Sequence, residues 1–211
     1  MPNWCNNNIS ISHNDSAKLE ALAQAVREGK FCDHVKPVPE SLHIVAGRVG
    51  DDTDPKQIEL EAAEKRNLEA HGYATWYDFC VNEWGTKWDV ESYEGENTQV
   101  EQGVLQFGFD SAWSPPIGIY EELIQQGYDV RAYYYEPGMG YVGKWDNGID
   151  DCIEYSNETS ATVRDVIGDE LDDMYGISES MAEYEDDAEE VTEWYEQGCE
   201  SRGLTPGAGK E

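Results

Sequence analysis

Two kinds of hydrophobic periodicity divide this 211-residue chain near residue 150. Before that point, runs with an apolar residue at every second position alternate with runs in which apolar residues recur at every third or fourth position. That pattern predicts strands alternating with helices. After it, only the three-to-four spacing remains, which is typical of amphipathic helices. We therefore predict an α+β domain over residues 1–155, an acidic helical extension over 156–203 and a disordered tail over 204–211.

The first elements predict a β-α-β unit. Residues 4–12 alternate as a strand does, Asp15 is placed to cap a helix that Gly29 ends, and residues 31–36 have the pattern of a second short strand. A helical insertion at about residues 40–85 is expected to follow.

The insertion is predicted to contain one long helix and one short helix. Asp54 and Pro55 stand in the order of an N-cap and a first-turn proline, and Gly72 stands where that helix would end. Thr75 is placed to cap the second helix, and Gly85 to close it.

Beyond the insertion, the pattern predicts a hairpin, a helix and two further strands. Together with the N-terminal unit they make the split β-α-β arrangement of the ferredoxin-like fold, an antiparallel sheet with helices on one face. The predicted elements are hairpin strands over 87–93 and 99–109, a helix from Pro115 to Gly127, and strands over 128–136 and 141–148.

The C-terminal extension is acidic as well as amphipathic. Residues 150–211 contain 20 acidic and three basic residues, a net charge of −17. Gly176 is expected to break the apolar stripe into two helices, and the Ser180–Glu183 capping box to start the second. The stripe comprises Val163, Ile167, Leu171, Met174, Ile177, Met181, Tyr184, Ala188, Val191 and Tyr195.

The charge of the whole chain restricts its partners. With 45 acidic and 14 basic residues, the formal net charge is −31. Nucleic acids and anionic membranes are bound by neutralising phosphates, so direct binding to either is disfavoured. Cations, basic proteins and basic grooves that normally hold nucleic acid are the expected partners.

Cysteine usage and the N-terminus favour a cytoplasmic location. The five cysteines are widely spaced and form no C-x-x-C pair, which is typical of reduced thiols. The opening residues lack the basic and apolar regions of a signal peptide, and no stretch approaches the roughly 18 apolar residues of a membrane span.

The segment WGTKWD, residues 84–89, is the first candidate binding site. In one interpretation, Trp84 closes a helix against the sheet and Trp88 starts a strand into the core. In the other, Lys87 holds an anion while the indoles stack on a base or sugar. Trp113 could join the cluster. Lys87 could form an ion pair with Asp89, Glu83 or Glu136, the last of which precedes a Pro-Gly turn.

No catalytic or metal-binding constellation emerges from the sequence. Ser111 and Ser114 lie outside a G-x-S-x-G elbow. Cys32 and His34 would share one face of the predicted strand, and with Cys5 or His43 they could form a zinc site, but the paired spacings of zinc motifs are missing. We expect no cofactor and no bound metal, and an enzyme is the less favoured class.

Carboxylates of the extension form the second candidate site. They are interpreted as a solvated face, as an adaptation to high salt, or as an imitation of DNA phosphates that blocks a basic groove. The residues are Asp169, Glu170, Asp172, Asp173, Glu185, Asp186, Asp187, Glu189 and Glu190.

Four segments carry a resemblance to a known family. MPNWC, WYDFCVNEWGTKWD, FDSAWSPP and YYYEPGMGYVGKW, within residues 1–150, together resemble the YubB ferredoxin-like domain family of plasmids and phages. The resemblance implies a ferredoxin-like fold and an origin in a mobile element, and it implies no reaction. The acidity and the long C-terminal helices depart from that family.

We therefore expect a non-enzymatic phage or plasmid accessory protein that binds a host or phage protein with a basic surface. One form of this expectation is an acidic DNA mimic directed against host defence. The alternative is a nucleic-acid or nucleotide binder that uses the sheet aromatics, which requires Arg131, Lys144 and Lys87 to form one positive patch. A salt-adapted protein of another activity is a further alternative. The sequence leaves the oligomeric state open.

Overall fold

The structure is a computed structural model that describes residues 3–200, except for the side chains at positions 189, 193 and 196–200 of the last helix. The predicted disordered tail, residues 204–211, lies outside the described residues. The chain divides into two compact units between Cys152 and Ile153.

Six strands form one antiparallel sheet in the order β2-β3-β1-β4-β5-β6. The central strand, β1, pairs with β3 on one side and with β4 on the other. The first four strands, with helices between β1 and β2 and between β3 and β4, make the split β-α-β arrangement, so the predicted ferredoxin-like α+β fold is confirmed. The strands are β1 (Trp4–Ser12), β2 (Val100–Glu101), β3 (Val104–Ala112), β4 (Asp129–Glu136), β5 (Tyr141–Asp146) and β6 (Ile149–Glu154).

Helices of the N-terminal unit cover one face of this sheet. Alternation along β1 places Ile9 and Ile11 on that face, where helix residues such as Leu19, Phe31 and Leu123 share one core with them. The helices are α1 (Ser16–Arg27), α2 (Phe31–Val35), α3 (Pro55–His71), α4 (Trp76–Phe79), which continues as a π-helical turn (Cys80–Trp84), and α5 (Ile117–Gln125).

Local signals set several of these elements as predicted. The Asp15 carboxylate accepts from the backbone N–H groups of Ala17 and Lys18 at the start of α1. Asp54 caps α3, and Gly72 ends it in the left-handed conformation. These caps were recognisable because every partner lies within a few residues.

The strand predicted over residues 31–36 is wrong. That segment is helix α2, and the Asp89 carboxylate accepts from the backbone N–H groups of Cys32 and Asp33 at 2.7 and 2.9 Å. This cap comes from a residue 57 positions away, so local periodicity could not reveal it.

The predicted hairpin between residues 87–93 and 99–109 is also wrong. Residues 87–93 form only an isolated bridge, between Ser92 and Phe109, and Trp88 is not buried in the core. The hairpin joins β2 and β3 instead, through Gln102 and Gly103, both of which have positive φ as a tight two-residue turn requires.

The C-terminal unit begins within β6 and continues as three helices. Glycines at 168 and 176 separate them, and the last helix starts at Ile177 rather than at the predicted Ser180. The helices are α6 (Val163–Ile167), α7 (Asp169–Tyr175) and α8 (Ile177–Glu200). Their apolar stripe is buried at Val163, Ile167, Leu171 and Ile177 but exposed at Tyr184, Val191 and Tyr195, so it is not continuous as an interior.

Candidate functional site

The first candidate site lies at one end of the sheet, where β1 begins and β3 ends. Trp4 stands opposite Ala112 in that pairing, and Glu136 at the end of β4 stands opposite Tyr141 at the start of β5. Three of the segments that carried the family resemblance therefore lie at this end of the sheet, and the segment WYDFCVNEWGTKWD joins them through a hydrogen bond from Thr86 to Ala112.

Buried hydrogen bonds fix the loop that follows the π-helical turn. The Thr86 hydroxyl donates to the carbonyl of Ala112 at 3.1 Å and accepts from its N–H at 3.0 Å. The Ser114 hydroxyl donates to the carbonyl of Gly85 at 2.5 Å. Gly85 has φ of 86°, and a Cβ there would lie 3.2 Å from the carbonyl oxygen of Pro115. The loop is thus held tightly against the end of β3.

Aromatic rings surround the Lys87 ammonium. Its Nζ lies 4.3 Å from the ring centre of Trp88, 5.6 Å from that of Tyr77 and 5.7 Å from that of Trp113. Trp4 extends the cluster, with its ring centre 6.2 Å from that of Trp88. Cation–π contacts therefore take the place of the carboxylate partner expected from the sequence.

Carboxylates near this segment have other partners. Glu83 pairs with Lys36, and Asp89 caps α2. The buried carboxylate of Glu136 accepts from the N–H groups of Gly138 and Met139 and holds the turn after β4. Within residues 3–200, Lys87 has no ion pair with any of the three expected acids.

Trp113 adopts a backbone conformation that is rare for a large side chain. Its φ is 71°, in the left-handed region, which costs on the order of 1–3 kcal/mol for a residue other than glycine. Its N–H donates to the carbonyl of Asn3 at 2.9 Å, and the Tyr141 hydroxyl donates to its carbonyl at 2.7 Å. These bonds keep a strained, 37 % exposed indole at the surface.

The structure separates the five residues predicted for this site. Trp84 is buried and its indole N–H donates to the carbonyl of Lys36, so it is part of the core, and Glu136 anchors a turn. Lys87, Trp88 and Trp113 do come together. Trp4 and Tyr77 were missed as members, although Trp4 occupies the outward-facing position of an alternating strand, which was a usable signal.

Buried thiols in this unit are poor nucleophiles. Burial raises the pKa of Cys5 and of Cys80 to about 12, and it also raises the pKa of Cys32 well above its ordinary value. Cys32 and His34 do not share one face as predicted, because they lie on a helix, where residues two apart point in different directions. Within residues 3–200, no group of three or more His, Cys, Asp and Glu side chains is placed to hold a metal ion.

Three cations proposed for nucleic-acid binding do not form one patch. Arg131 and Lys144 lie on neighbouring strands, and Arg131 contacts Asp146 at 3.3 Å. Arg131 stands opposite Ser10 of β1. Ser10 is six residues, or about 20 Å, along the strand from Trp4, which lies at the same end of the sheet as Lys87.

The predicted acidic face of the C-terminal unit is partly used inside that unit. Arg164 contacts Asp169 at 2.7 Å, Asp172 at 2.9 Å and Asp173 at 2.7 Å. The buried Asp172 also accepts from the N–H and hydroxyl of Ser178 at 2.7 and 2.6 Å. Burial alone would raise the pKa of Asp172, but these hydrogen bonds and Arg164 outweigh it and lower that pKa.

Other members of the acidic face lie on α8. The Glu185 carboxylate accepts from the N–H and hydroxyl of Ser160, which lowers its pKa. Asp186, Asp187 and Glu190 are exposed, as is Glu170 on α7, while the side chain of Glu189 lies outside the described residues. Large apolar side chains on the same helix are exposed too, at Tyr184, Val191, Trp194 and Tyr195.

No helix within residues 3–200 is both long enough and apolar enough to cross a bilayer.

A family model described as "Ferredoxin-like domain in Api92-like protein" matches residues 83–193, just over half of the chain. The chain belongs to this Api92-like family. The matched region runs from the end of the π-helical turn through α6 and α7 into α8, so it includes α6, α7 and most of α8.

Two further comparisons accompany this match. A crystal structure of the protein api92 from Yersinia pseudotuberculosis aligns with 74 % of this chain and 99 % of its own chain, at 13 % sequence identity and a TM-score of 0.38. Among curated proteins, none matches this chain.

Proposed function

We propose that this Api92-like protein is a non-enzymatic binding protein that docks helix α8 onto a partner protein with a basic, partly apolar surface. The observation that carries the proposal is the exposed side of α8. Val191 is 66 % exposed and Trp194 77 % exposed, and both lie on the same side of the helix as Asp187 and Glu190. Spacings of three and four residues bring these side chains together.

This side of α8 suits a lysine or arginine side chain of a partner. Its four residues line a shallow depression of about 390 Å³. The aliphatic part of a basic side chain would lie on Val191, and its cation would contact the Trp194 ring and the carboxylates of Asp187 and Glu190. Apolar anchors at such spacings are what a helix presents to a groove.

Charge supports a basic partner rather than a second copy of the chain. A net charge of −31 speeds encounter with a positively charged surface and opposes encounter with another copy.

The proposal is tested with a labelled amphipathic peptide of leucine and lysine, by fluorescence anisotropy. The pair Asp187→Asn and Glu190→Gln, and the pair Val191→Ala and Trp194→Ala, should each weaken binding about tenfold, equivalent to about 1.4 kcal/mol. The matched control, Glu59→Gln with Glu69→Gln on exposed positions of α3, removes the same charge elsewhere and should leave binding within about twofold. An equal loss in the control would mean that net charge alone attracts the peptide.

A finer form of the proposal is a phage or plasmid accessory protein that imitates DNA and blocks a basic groove of a host defence protein. Its support is the density of exposed carboxylates on α8 and the four-segment resemblance to the YubB family. Displacement of duplex DNA from a basic DNA-binding domain tests it. Mimicry by charge alone predicts that Trp194→Ala displaces DNA as well as the unaltered protein does, whereas docking predicts a loss.

A further inference from the structure

A cavity of the N-terminal unit is lined in part by Lys87 and Trp88. It has a volume of about 300 Å³, at the lower end of the range for small-molecule sites. Its walls include three indoles, those of Trp76, Trp84 and Trp88, over the apolar side chain of Val38. Flat aromatic walls of this kind suit a planar ring.

Basic groups at this cavity are available, whereas its acids are occupied. Lys30, Lys87 and His43 line it, in a chain with only 14 lysines and arginines. The nearest carboxylate partner of Lys30 in the described residues is Glu28, at 3.9 Å between exposed side chains. The described contacts of the Lys87 ammonium are with rings.

Both lining carboxylates serve the backbone. Asp89 accepts from the N–H groups of Cys32, Asp33 and Val90 at 2.7 to 2.9 Å. Asp33 accepts from the N–H of Val38 at 3.0 Å. Asp89 is thus committed to α2 and one Asp33 oxygen to the chain after it, which leaves the basic side chains of the cavity as the groups that can contact an anion.

The cavity is held open by its own framework. The Trp84 indole N–H donates to the carbonyl of Lys36 at 2.8 Å, which fixes one wall. Thr75 and Asp78 form a capping box that fixes the start of the helix carrying Trp76. A ligand would therefore meet a largely formed site and lose little affinity to ordering it.

We propose that this cavity binds a small planar aromatic molecule with one anionic group, the ring lying among the three indoles and the anion contacting Lys87 and Lys30. A single or fused ring with a carboxylate fits the volume, whereas a polymer does not. This site is separate from the partner-binding side of α8, so either can fail without the other.

Three probes with the same ring separate the role of the ring from that of the charge. Indole-3-acetate, indole-3-acetamide and tryptamine carry a negative, a neutral and a positive group. Titrations followed by the tryptophan indole N–H signals in ¹⁵N–¹H NMR should show shifts at Trp76, Trp84 and Trp88. The acetate should bind about tenfold more tightly than the amide, and tryptamine most weakly.

Variants then assign the contacts. Lys87→Met keeps the aliphatic stem and should reduce indole-3-acetate affinity about tenfold while leaving the amide unaffected. Lys65→Met, on exposed α3, is the matched control and should change nothing. Three results would each overturn the proposal. They are equal affinity for all three probes, shifts confined to other tryptophans, and no binding of indole-3-acetate at about 1 mM.

Discussion

The two units of the chain are stabilised in different ways. The N-terminal unit buries aromatic rings, among them Phe31, Phe107 and Phe109, with Phe31 and Phe107 packed edge to face at 5.3 Å. The C-terminal unit buries few apolar side chains and relies on Arg164, which contacts three carboxylates. Acidic side chains are structural in both units, but Asp172 is held by an arginine whereas Asp89 is held by backbone N–H groups, so pH should affect the two units differently.

The largest effect is expected from the aromatic core. Phe109→Ala deletes a fully buried ring next to Phe107, which should lower the free energy of unfolding by about 3–5 kcal/mol. Hydrogen exchange measured by mass spectrometry on peptides from β1 and β3 reports this loss locally. Tyr184→Ala, at a 78 % exposed position of α8, is the aromatic control. It should change the stability measured by hydrogen exchange in β1 and β3 by less than about 0.5 kcal/mol. A small effect at Phe109 would contradict a core based on aromatic burial.

The second-largest effect is expected from Asp172, whose contribution to stability should depend on pH. Asp172→Asn should cost the C-terminal unit about 1.5–3 kcal/mol, since it weakens charged hydrogen bonds to Ser178 and Arg164. The folded pKa lies below the ordinary 3.8, so this stabilisation is present above about pH 4 and is lost as pH falls through the folded pKa. Circular dichroism at 222 nm during urea unfolding at pH 7 and pH 3 measures it. The exposed control Asp187→Asn should show neither change.

Asp89 in the N-terminal unit should respond to pH with the opposite sign. Burial raises its pKa above 3.8, although three backbone N–H groups partly offset that rise. Asp89 holds a proton more tightly in the folded state than in the unfolded chain. Its contribution to stability therefore falls as pH rises from the unfolded pKa, near 3.8, through the higher folded pKa. Carboxyl ¹³C NMR titration should place the Asp89 midpoint above 3.8 and the Asp172 midpoint below it. If both midpoints lay on the same side of 3.8, the two carboxylates would not differ in the sign of their pH response, and the contrast between the units would be lost.

Sequence predicted those parts of the fold whose causes are local. The alternation in β1, the Asp15 cap of α1 and the Asp54–Gly72 limits of α3 each depend on neighbouring residues. Helix α2 was mistaken for a strand because its cap, Asp89, is distant in sequence. Strand β6 was missed although Asn147-Gly148, both with positive φ, is a strong hairpin signal.

The candidate site was predictable only in part, for a similar reason. Trp84 and Trp88 look alike in sequence, yet one is buried and the other exposed. What separates them is the π-helical turn and the Thr86 bonds to Ala112, which set the direction of the chain after Gly85. No periodicity reports such contacts across 26 residues.

Glycine substitutions sharpen the description of this tight loop. Gly85→Ala and Gly103→Ala both place a Cβ at positive φ, at a cost of about 1–2 kcal/mol from the backbone alone. Gly103 has open space around its Cβ position, whereas Gly85 faces the backbone of Pro115 and Ile117 at 3.2 and 3.3 Å. Gly85→Ala should therefore cost more in thermal unfolding and should shift the NMR signals of Trp88 and Trp113. Equal costs would mean that the loop tolerates movement.

The smallest effect should come from charge repulsion on α8. Glu183 lies four residues from both Glu179 and Asp187, and like charges at this spacing cost about 0.2–0.5 kcal/mol per pair. Glu183→Lys turns two repulsive pairs into attractive ones and should raise helix stability by about 0.8–2 kcal/mol, with Glu183→Gln giving roughly half of that. The gain, measured by circular dichroism at 222 nm, should vanish near 1 M salt, because the Debye length there is only about 3 Å. A gain that survives at that salt would reflect helix propensity and would show that the acids of α8 cost the unit nothing. The salt-adapted interpretation would then lose its basis, since it requires that salt relieve this repulsion.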